Sequence, residues 1–196
     1  GVNFNTGALI MGKNSSNEQM YEPGFFTNDP KPGKQILSGY KLNFNRNGDT
    51  YTLTGVNKPD GSSALSGYDS NTGSNFFPLD SIRDLHKDKA NDPEHHNCFF
   101  GMRYDIEFTI GDYLGDLNYS FTGDDDLWAI LDAKKDGGQV VIDLGGIHSA
   151  LDKKVDLWEI LLNKKDYKEK DKLEYADRDK KHTLTTVSYT HLTLPT

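Results

Sequence analysis

The sequence predicts an all-β protein, an antiparallel β-sandwich with one or two short helices. Between Met102 and Ile110, apolar and polar residues alternate with a period of two over nine residues, as in a half-buried strand. Nineteen glycines among 196 residues favour turns and short strands over long helices. Only 35 % of the residues are hydrophobic, but ten Tyr, ten Phe and two Trp can build a core, where we expect Trp128 and Trp158.

The N-terminal part of the chain predicts a loop-rich lead-in followed by a hairpin. Residues 1–34 are rich in Gly, Asn and Pro and show no stable periodicity, as is usual in loops. Two alternating segments, Tyr40–Asn45 and Asp49–Val56, then flank the pair Asn47-Gly48, which favours a tight hairpin turn. We therefore expect two antiparallel strands in this part of the chain.

One short helix is predicted after a second Gly- and Ser-rich loop. Within Pro78–Ala90, Ile82 and Leu85 lie three residues apart, as on one face of a helix. Asp80 or Ser81 is available to cap the first turn of this helix. A polar loop follows and leads into the alternating strand.

The second half of the chain predicts further strands joined by tight turns. Asn118–Gly123 continues the strand pattern, and Leu127–Asp132 and Gln139–Gly146 form a second hairpin around a Lys-Lys-Asp-Gly-Gly turn. Val155–Leu162 fits either a helical turn or a strand, and residues 164–181 predict a charged, solvated loop. Many short strands with turn-rich connections are typical of a β-sandwich.

Three adjacent carboxylates, Asp124, Asp125 and Asp126, follow the strand that ends at Gly123. Because side chains alternate along a strand, the three cannot all face one way, and convergence of two of them needs a sharp turn and a neutralising cation. Ca²⁺ fits best, since it takes six to eight oxygens at roughly 2.3–2.6 Å, whereas Zn²⁺ prefers His and Cys. The alternative is a solvated turn that protects a sheet edge from aggregation.

A second block of residues supplies further candidates for the same site. The stretch from Val140 to His148 holds another carboxylate, two glycines with a permissive backbone and an imidazole, within one hairpin's reach of the aspartates. Two of these have a structural alternative: Asp143 can accept backbone hydrogen bonds at the strand end, and His148 can bond a nearby carbonyl. The candidate ligand-site residues are Asp126, Asp143, Gly145, Gly146 and His148.

The pattern F-T-G-D-D-D-L-W-A-I-L-D followed by V-V-I-D-L-G-G-I-H resembles the fibro-slime domain, which is related to the protective-antigen-type lectin-like β-sandwich of flocculins and toxins. The resemblance covers roughly residues 75–186 and implies a sandwich of the lectin-like jelly-roll type. In the wider family, two adjacent aspartates joined by a cis peptide bond hold a Ca²⁺ that coordinates sugar hydroxyls. The resemblance therefore implies that Asp124 and Asp125 are metal ligands.

The function implied by this resemblance is a calcium-dependent carbohydrate-binding or adhesion module of a bacterial surface or secreted protein. The expected location is extracellular, and the expected partner is a glycan or a cell-surface polysaccharide. Two alternatives stay open. One is a structural spacer domain of a large surface protein with a structural calcium, and the other is an accessory domain of a polysaccharide-degrading enzyme.

Composition and motifs argue against several other functions. The net charge of −8 repels nucleic-acid phosphates and anionic membranes, and no apolar stretch approaches the ~20 residues of a membrane span. Adjacent carboxylates in a turn do not make the pair about 5–9.5 Å apart that glycoside hydrolysis needs. No G-x-S-x-G, phosphate-loop or H-E-x-x-H motif is present. We therefore expect no enzyme, no nucleic-acid partner and no membrane insertion.

The last ten residues, Val187–Thr196, read as the translation of a transposon-end adapter used in sequencing libraries. We therefore predict a loop-rich lead-in over 1–34, a sandwich over 35–186 that is incomplete at its C-terminus, and an artefactual tail over 187–196. The lone Cys98 is either a buried free thiol or half of a lost disulfide, since fibro-slime domains often continue with a further cysteine.

Overall fold

The structure, a computed structural model, describes residues 2–3, 8–9, 17, 34–82, 96–97, 100–123, 126–134, 138–145 and 151–189. Within these residues ten strands pair antiparallel, and only two short helices occur. The fold class predicted from the sequence, an all-β sandwich, is confirmed. Neither of the two described helices has the length and apolarity needed to cross a membrane.

The chain divides into two compact units. The sandwich unit comprises residues 1–27 and 101–189, and the hairpin unit comprises residues 28–100 and 190–196. In the sandwich unit, β1 (Val2–Asn3) pairs with β2 (Ala8–Leu9). The domain boundaries predicted from the sequence at residues 34 and 186 stay predictions.

The hairpin unit contains the predicted hairpin. β3 (Lys41–Asn47) pairs with β4 (Thr50–Asn57). Asn47 lies opposite Thr50, so the two residues between them form the turn, and Gly48 has a φ of 59° there. A positive φ is readily adopted by glycine because it has no Cβ. The predicted Asn-Gly signal is therefore correct, with its asparagine as the last residue of the first strand.

The predicted helix is not formed in its first five residues, 78–82, which contain turns. The rest of the predicted helix lies outside the described residues. Asp80, predicted as the cap, instead accepts a hydrogen bond from the backbone N–H of Asn97 at 2.7 Å. Its other carboxylate oxygen pairs with Nδ1 of His96 at 2.5 Å, and the His96 ring stacks on Phe77 with 3.8 Å between centroids. A long-range contact thus replaces the expected local cap.

Four strands of the sandwich unit form one antiparallel sheet in the order β5-β10-β7-β8. The four are β5 (Gly101–Phe108), β7 (Asp126–Leu131), β8 (Gln139–Leu144) and β10 (His182–Tyr189). The second predicted hairpin is the β7–β8 pair, in which Leu127 lies opposite Leu144. β7 lies inside the sheet, and all six of its residues are buried.

A second sheet packs on one face of the first. It consists of β6 (Asn118–Gly123) and β9 (Leu151–Asp156). The core between the sheets is built on Leu127, Ala129, Ile142, Leu157 and Leu184. Each Leu or Ile side chain that is fully buried contributes about 1.5–3 kcal/mol. Both tryptophans are buried as predicted, with Trp128 8 % and Trp158 0 % exposed.

Val155–Leu162, for which the sequence allows either a helical turn or a strand, contains both. β9 ends at Asp156, and α1 (Leu157–Leu161) begins directly after it. The Asp156 carboxylate accepts a hydrogen bond from the backbone N–H of Trp158 at 2.9 Å, which caps the helix. The change from strand to helix therefore occurs at a capping aspartate.

Most of residues 164–181 are exposed, as predicted, but the segment is not all loop and one of its lysines is buried. α2 (Glu169–Leu173) lies in this segment, and Lys172 is only 8 % exposed. Its ammonium donates to backbone carbonyls of the β5–β6 connection, so the segment is held against the rest of the sandwich unit.

β10 extends beyond residue 186 into the stretch that resembles an adapter. Val187, Ser188 and Tyr189 pair with both β5 and β7, and Val187 is 1 % exposed. Residues 190–196 lie outside the described residues. The artefactual origin of the tail stays a prediction, because strand pairing depends on the pattern of the residues and not on their origin.

Candidate functional site

The two sequence blocks that carry the candidate residues meet at one end of the sandwich unit. β6 ends at Gly123, which pairs with Leu151 at the start of β9. β7 begins at Asp126, and the next residue, Leu127, lies opposite Leu144 at the end of β8. We call these residues and those that connect them the acidic end.

The predicted metal ligands Asp124 and Asp125, with the cis peptide implied between them, lie outside the described residues, as do Gly146 and His148. Their roles stay predictions. Within the part of the chain that the structure describes, no three His, Cys, Asp or Glu side chains form a group that could hold a metal ion.

Asp126 is fully buried, with 0 % of its surface exposed, at the first position of β7 opposite Tyr189. A buried carboxylate is unfavourable unless hydrogen bonds compensate for its lost hydration. This burial favours a structural role for Asp126 at the start of the strand over contact with a soluble ligand.

Asp143 lies on β8, opposite Trp128 of β7, and its side chain is exposed. Its Oδ1 accepts a hydrogen bond from the backbone N–H of Gly145 at 3.2 Å. This contact matches the alternative left open by the sequence, in which Asp143 satisfies the backbone at the strand end. A ligand role for Asp143 stays a prediction.

Position 145 requires a glycine because the indole of Trp128 packs directly on its backbone. A Cβ at this position would lie 2.7 Å from Cζ2 of Trp128 and 3.4 Å from Oδ1 of Asp143. Real Cβ atoms do not approach a ring carbon that closely. The indole of Trp128 therefore fixes the end of β8 relative to the start of β7. The sequence suggested Gly145 only for its permissive backbone and gave no sign of this contact.

Sequence reasoning missed a polar chain that joins the end of β7, the start of β10 and a tyrosine that follows α2. Nδ1 of His182 lies 2.8 Å from Oδ2 of Asp132, and Nε2 lies 3.2 Å from the hydroxyl of Tyr175. Oδ1 of Asp132 accepts from the backbone N–H of Thr183 at 2.9 Å. Because fifty residues separate Asp132 from His182, no local pattern could have revealed the pair.

The protonation of this chain follows from its hydrogen bonds. Burial, and then the charges of Asp177 and Asp132, raise the pKa of Tyr175, so its hydroxyl stays protonated. A protonated Tyr175 can donate to Nε2 of His182, which leaves the Nδ1 proton for Asp132. His182 is 1 % exposed, and both of its nitrogens are used inside the protein. The chain therefore links the end of β7 to the start of β10 and to Tyr175, which follows α2.

A second missed cluster, which we call the cation clamp, consists of Lys172, Arg178 and the carbonyls that they bind. The Lys172 ammonium donates to the carbonyl oxygens of Leu114 at 2.9 Å and Gly115 at 3.1 Å. It also lies 5.6 Å from the centre of the Trp158 ring, within the range of a cation–π contact. A buried ammonium is thus stabilised by carbonyl dipoles and an aromatic face.

Arg178 forms the other half of the cation clamp. Its guanidinium donates to the carbonyl oxygens of Gly111 at 2.6 Å, Tyr113 at 3.0 Å and Lys172 at 2.5 Å. In return, its own carbonyl oxygen accepts from the backbone N–H groups of Ile110 and Gly111. The planar fork of an arginine can satisfy several acceptors at once, which a lysine cannot reproduce.

Buried phenols complete the polar interior of the sandwich unit. The Tyr119 hydroxyl lies between the sheets, 2.8 Å from that of Tyr104 and 2.9 Å from Oγ1 of Thr186. Burial raises the pKa of Tyr119 well above its ordinary value. Burial and a hydrogen bond to Asp156 likewise raise the pKa of Tyr167. These phenols therefore serve as neutral hydrogen-bonding groups.

Comparison with known proteins identifies relatives in Dictyostelium discoideum. Protein psiI is 35 % identical over 97 residues, which cover 47 % of this chain and 12 % of psiI. Protein psiB is 39 % identical over 87 residues, with 42 % and 14 % covered, and protein psiD is 32 % identical over 130 residues, with 64 % and 21 % covered. The chain thus spans between 12 % and 21 % of the length of these relatives. No family model and no solved structure matches.

These relatives correct the functional prediction. Dictyostelium is a eukaryote, and its psi proteins are not bacterial surface carbohydrate-binding modules. The predicted calcium-dependent carbohydrate-binding or adhesion module of a bacterial protein is therefore wrong, and so is the description as a bacterial adhesin. The resemblance to fibro-slime domains is not tested by these comparisons and stays a prediction. The chain is similar to one part of the much longer psi proteins.

Proposed function

We propose that this chain is a non-catalytic β-sandwich domain within a longer, exported eukaryotic protein. The observation that carries the proposal is that one histidine and two cationic side chains form hydrogen bonds within the fold. His182 bonds Asp132 and Tyr175, while Lys172 and Arg178 bond backbone carbonyls. Groups engaged in this way stabilise a domain, which supports a structural role for them.

The match to the psi proteins supports the same proposal. A stretch of 87 to 130 residues that recurs within proteins several times longer is of the size expected for a domain. The extracellular location is part of the proposal, and the glycan or cell-surface polysaccharide partner expected from the sequence stays a prediction.

For a cofactor, we propose one Ca²⁺ at the turn between β6 and β7, with Asp124 and Asp125 as protein ligands. The support is the pair of consecutive carboxylates between the end of β6 and the start of β7, because their repulsion needs compensation. The ion would neutralise the two carboxylates and hold the turn.

The domain proposal is tested by unfolding the purified chain. A domain that folds alone should lose its far-ultraviolet circular dichroism and its tryptophan fluorescence in one coincident transition. Two separate transitions that both involve the sandwich unit, or a broad non-cooperative change, would contradict the proposal.

The Ca²⁺ proposal is tested by titrating the same chain with Ca²⁺ in a calorimeter. We expect one ion per chain and at least a tenfold weaker affinity in Asp124→Asn and in Asp125→Asn. The matched control is Asp49→Asn, an exposed acid in the turn of the hairpin unit, which should leave the affinity unchanged. Equal binding by the wild type and both acidic-turn variants would reject the site.

A further inference from the structure

One tripeptide of β6, Asn118-Tyr119-Ser120, has the form Asn-x-Ser with x other than proline. This is the acceptor pattern for N-linked glycosylation of proteins that enter the secretory pathway. Short patterns of this kind also occur by chance, so the position of the asparagine in the fold decides whether a glycan can be carried there. The structure describes all three residues of the tripeptide.

The strand places the acceptor and the hydroxyl residue on the outer face of the second sheet. Tyr119 points inwards, where its hydroxyl bonds Tyr104 and Thr186 between the sheets. Since side chains alternate along a strand, Asn118 and Ser120 point the other way. Both are exposed, and Tyr119 between them is not. The one inward residue of the tripeptide is the one that the acceptor pattern leaves free to vary.

The surroundings of Asn118 are polar. Directly opposite it on β9 lies the half-buried Asp156, whose carboxylate accepts hydrogen bonds from the backbone N–H of Trp158 and the hydroxyl of Tyr167. The next outward residue of β6, Thr122, is exposed, and so are Lys154 and Asp152, which lie opposite Ser120 and Thr122 on β9. The β6 side chains that pack against the core cluster are those of Tyr119 and Phe121, which alternate along the strand with Asn118, Ser120 and Thr122. A hydrophilic oligosaccharide on Asn118 would project from a polar surface and displace no core contact.

We propose that Asn118 is an N-glycosylation site. The donor is a lipid-linked oligosaccharide pyrophosphate of the secretory pathway. The amide nitrogen of Asn118 forms a bond to the anomeric carbon of the sugar as the bond from that carbon to the pyrophosphate oxygen breaks. The lipid pyrophosphate leaves with the electron pair, and the amide nitrogen loses one proton. The proposal rests on export of the protein, which is part of the proposed function.

The sequence holds a second acceptor pattern, Asn14-Ser15-Ser16, outside the described residues. An assay that only detects glycan on the chain would not distinguish the two. Asn14→Gln therefore serves as the background in which Asn118 is examined.

The test is expression of the full chain behind a cleavable secretion signal in eukaryotic cells, so that it meets the donor whatever its natural location. In the Asn14→Gln background, we expect the secreted chain to carry one oligosaccharide that peptide N-glycosidase removes. The enzyme converts the linked asparagine to aspartate, and tandem mass spectrometry should find that change at residue 118.

Three variants sharpen the result. Asn118→Gln and Ser120→Ala should each abolish the mass shift, whereas Ser120→Thr, which keeps the hydroxyl, should retain it. All three changes lie on the exposed face, and circular dichroism of the secreted chains checks their folding. Secreted, folded chain without glycan at Asn118 overturns the proposal. That outcome differs from failure of the proposed function, which unfolding and Ca²⁺ titration of the unglycosylated chain test separately.

Discussion

The cation clamp and the acidic end are both highly charged parts of the sandwich unit, but they hold their charges in different ways. Lys172 and Arg178 reach carbonyls that lie 57 to 67 residues away along the chain. At the acidic end, Asp143 bonds the backbone only two residues further on. Long cationic side chains can carry a charge to distant acceptors, whereas the short carboxylate of Asp143 accepts from the backbone of its own turn.

This difference leads to an ordering of stability effects. Substitutions in the cation clamp remove contacts between segments that are distant in sequence, so they should lower the stability of the whole unit. Substitutions at the acidic end should act on one strand end.

Arg178→Ala should lower the free energy of unfolding by about 3–4 kcal/mol, because three carbonyls lose a charged donor. The loss is smaller than the sum of three bonds of about 1.5–3 kcal/mol each, because Arg178 is only half-buried and water can reach the freed carbonyls. Urea unfolding measures the change. The control is Lys180→Ala, an exposed cation that pairs with Asp177 at the surface and should change stability by less than about 0.5 kcal/mol. Equal changes in the free energy of unfolding for the two variants would show that the cation clamp does not stabilise the fold.

Asp132→Ala should cost about 2–3 kcal/mol, because it leaves the buried His182 and the N–H of Thr183 without their acceptor. Part of any loss comes from the backbone, since Asp132 has a φ of 52°. Asp166 is exposed and has a φ of 54°, so Asp166→Ala measures the backbone cost alone, about 1 kcal/mol. If the two variants were equally destabilised, the polar chain would contribute nothing.

Gly145→Ala should cost about 1–2 kcal/mol, because the new Cβ would overlap the indole of Trp128 and the strand end must shift. Thermal unfolding and tryptophan fluorescence together should report both the loss and the displaced ring. Gly55→Ala is the matched control, since the nearest atom to its Cβ is the Asn43 amide at 3.7 Å. Unchanged fluorescence in Gly145→Ala would indicate that the indole does not pack there.

The smallest effect at neutral pH is expected for Tyr119→Phe, about 1 kcal/mol, but this residue should contribute to the response to alkali. The folded-state pKa of Tyr119 is raised above the unfolded value of about 10. Its stabilising contribution is therefore complete below pH 10 and is lost as the pH rises towards the folded-state pKa. Denaturant midpoints of the wild type should fall above pH 10, and those of Tyr119→Phe should fall less. An equal fall of the denaturant midpoint in the wild type and in Tyr119→Phe would show that other groups cause the loss of stability in alkali.

Much of the fold followed from local pattern, whereas the polar interior did not. The alternation around Met102, the Asn47-Gly48 signal and the hairpin that begins at Leu127 each predicted strands that are present. The helix expected from residue 78 failed at its start because Asp80 bonds Asn97 and His96 instead of its own turn. A local capping signal cannot compete with a long-range partner that satisfies the same carboxylate.

The candidate site could be predicted only in part. The sequence identified the blocks that meet at the acidic end, but it assigned Gly145 to backbone freedom and missed the indole that packs on it. It also treated residues 164–181 as solvated, because a run of charges gives no sign of which ammonium will be buried. Lys172 differs from its neighbours only through its position against Leu114 and Gly115.

The sequence by itself determined the strand class and the two hairpins, because alternation and turn chemistry act over a few residues. The tertiary structure decided which charged and polar groups are buried, since that depends on partners 50 to 67 residues away. It also decided that Asn118 faces outwards while Tyr119 closes the core. Local pattern selects the strands, and the pairing of strands selects the surroundings of each side chain.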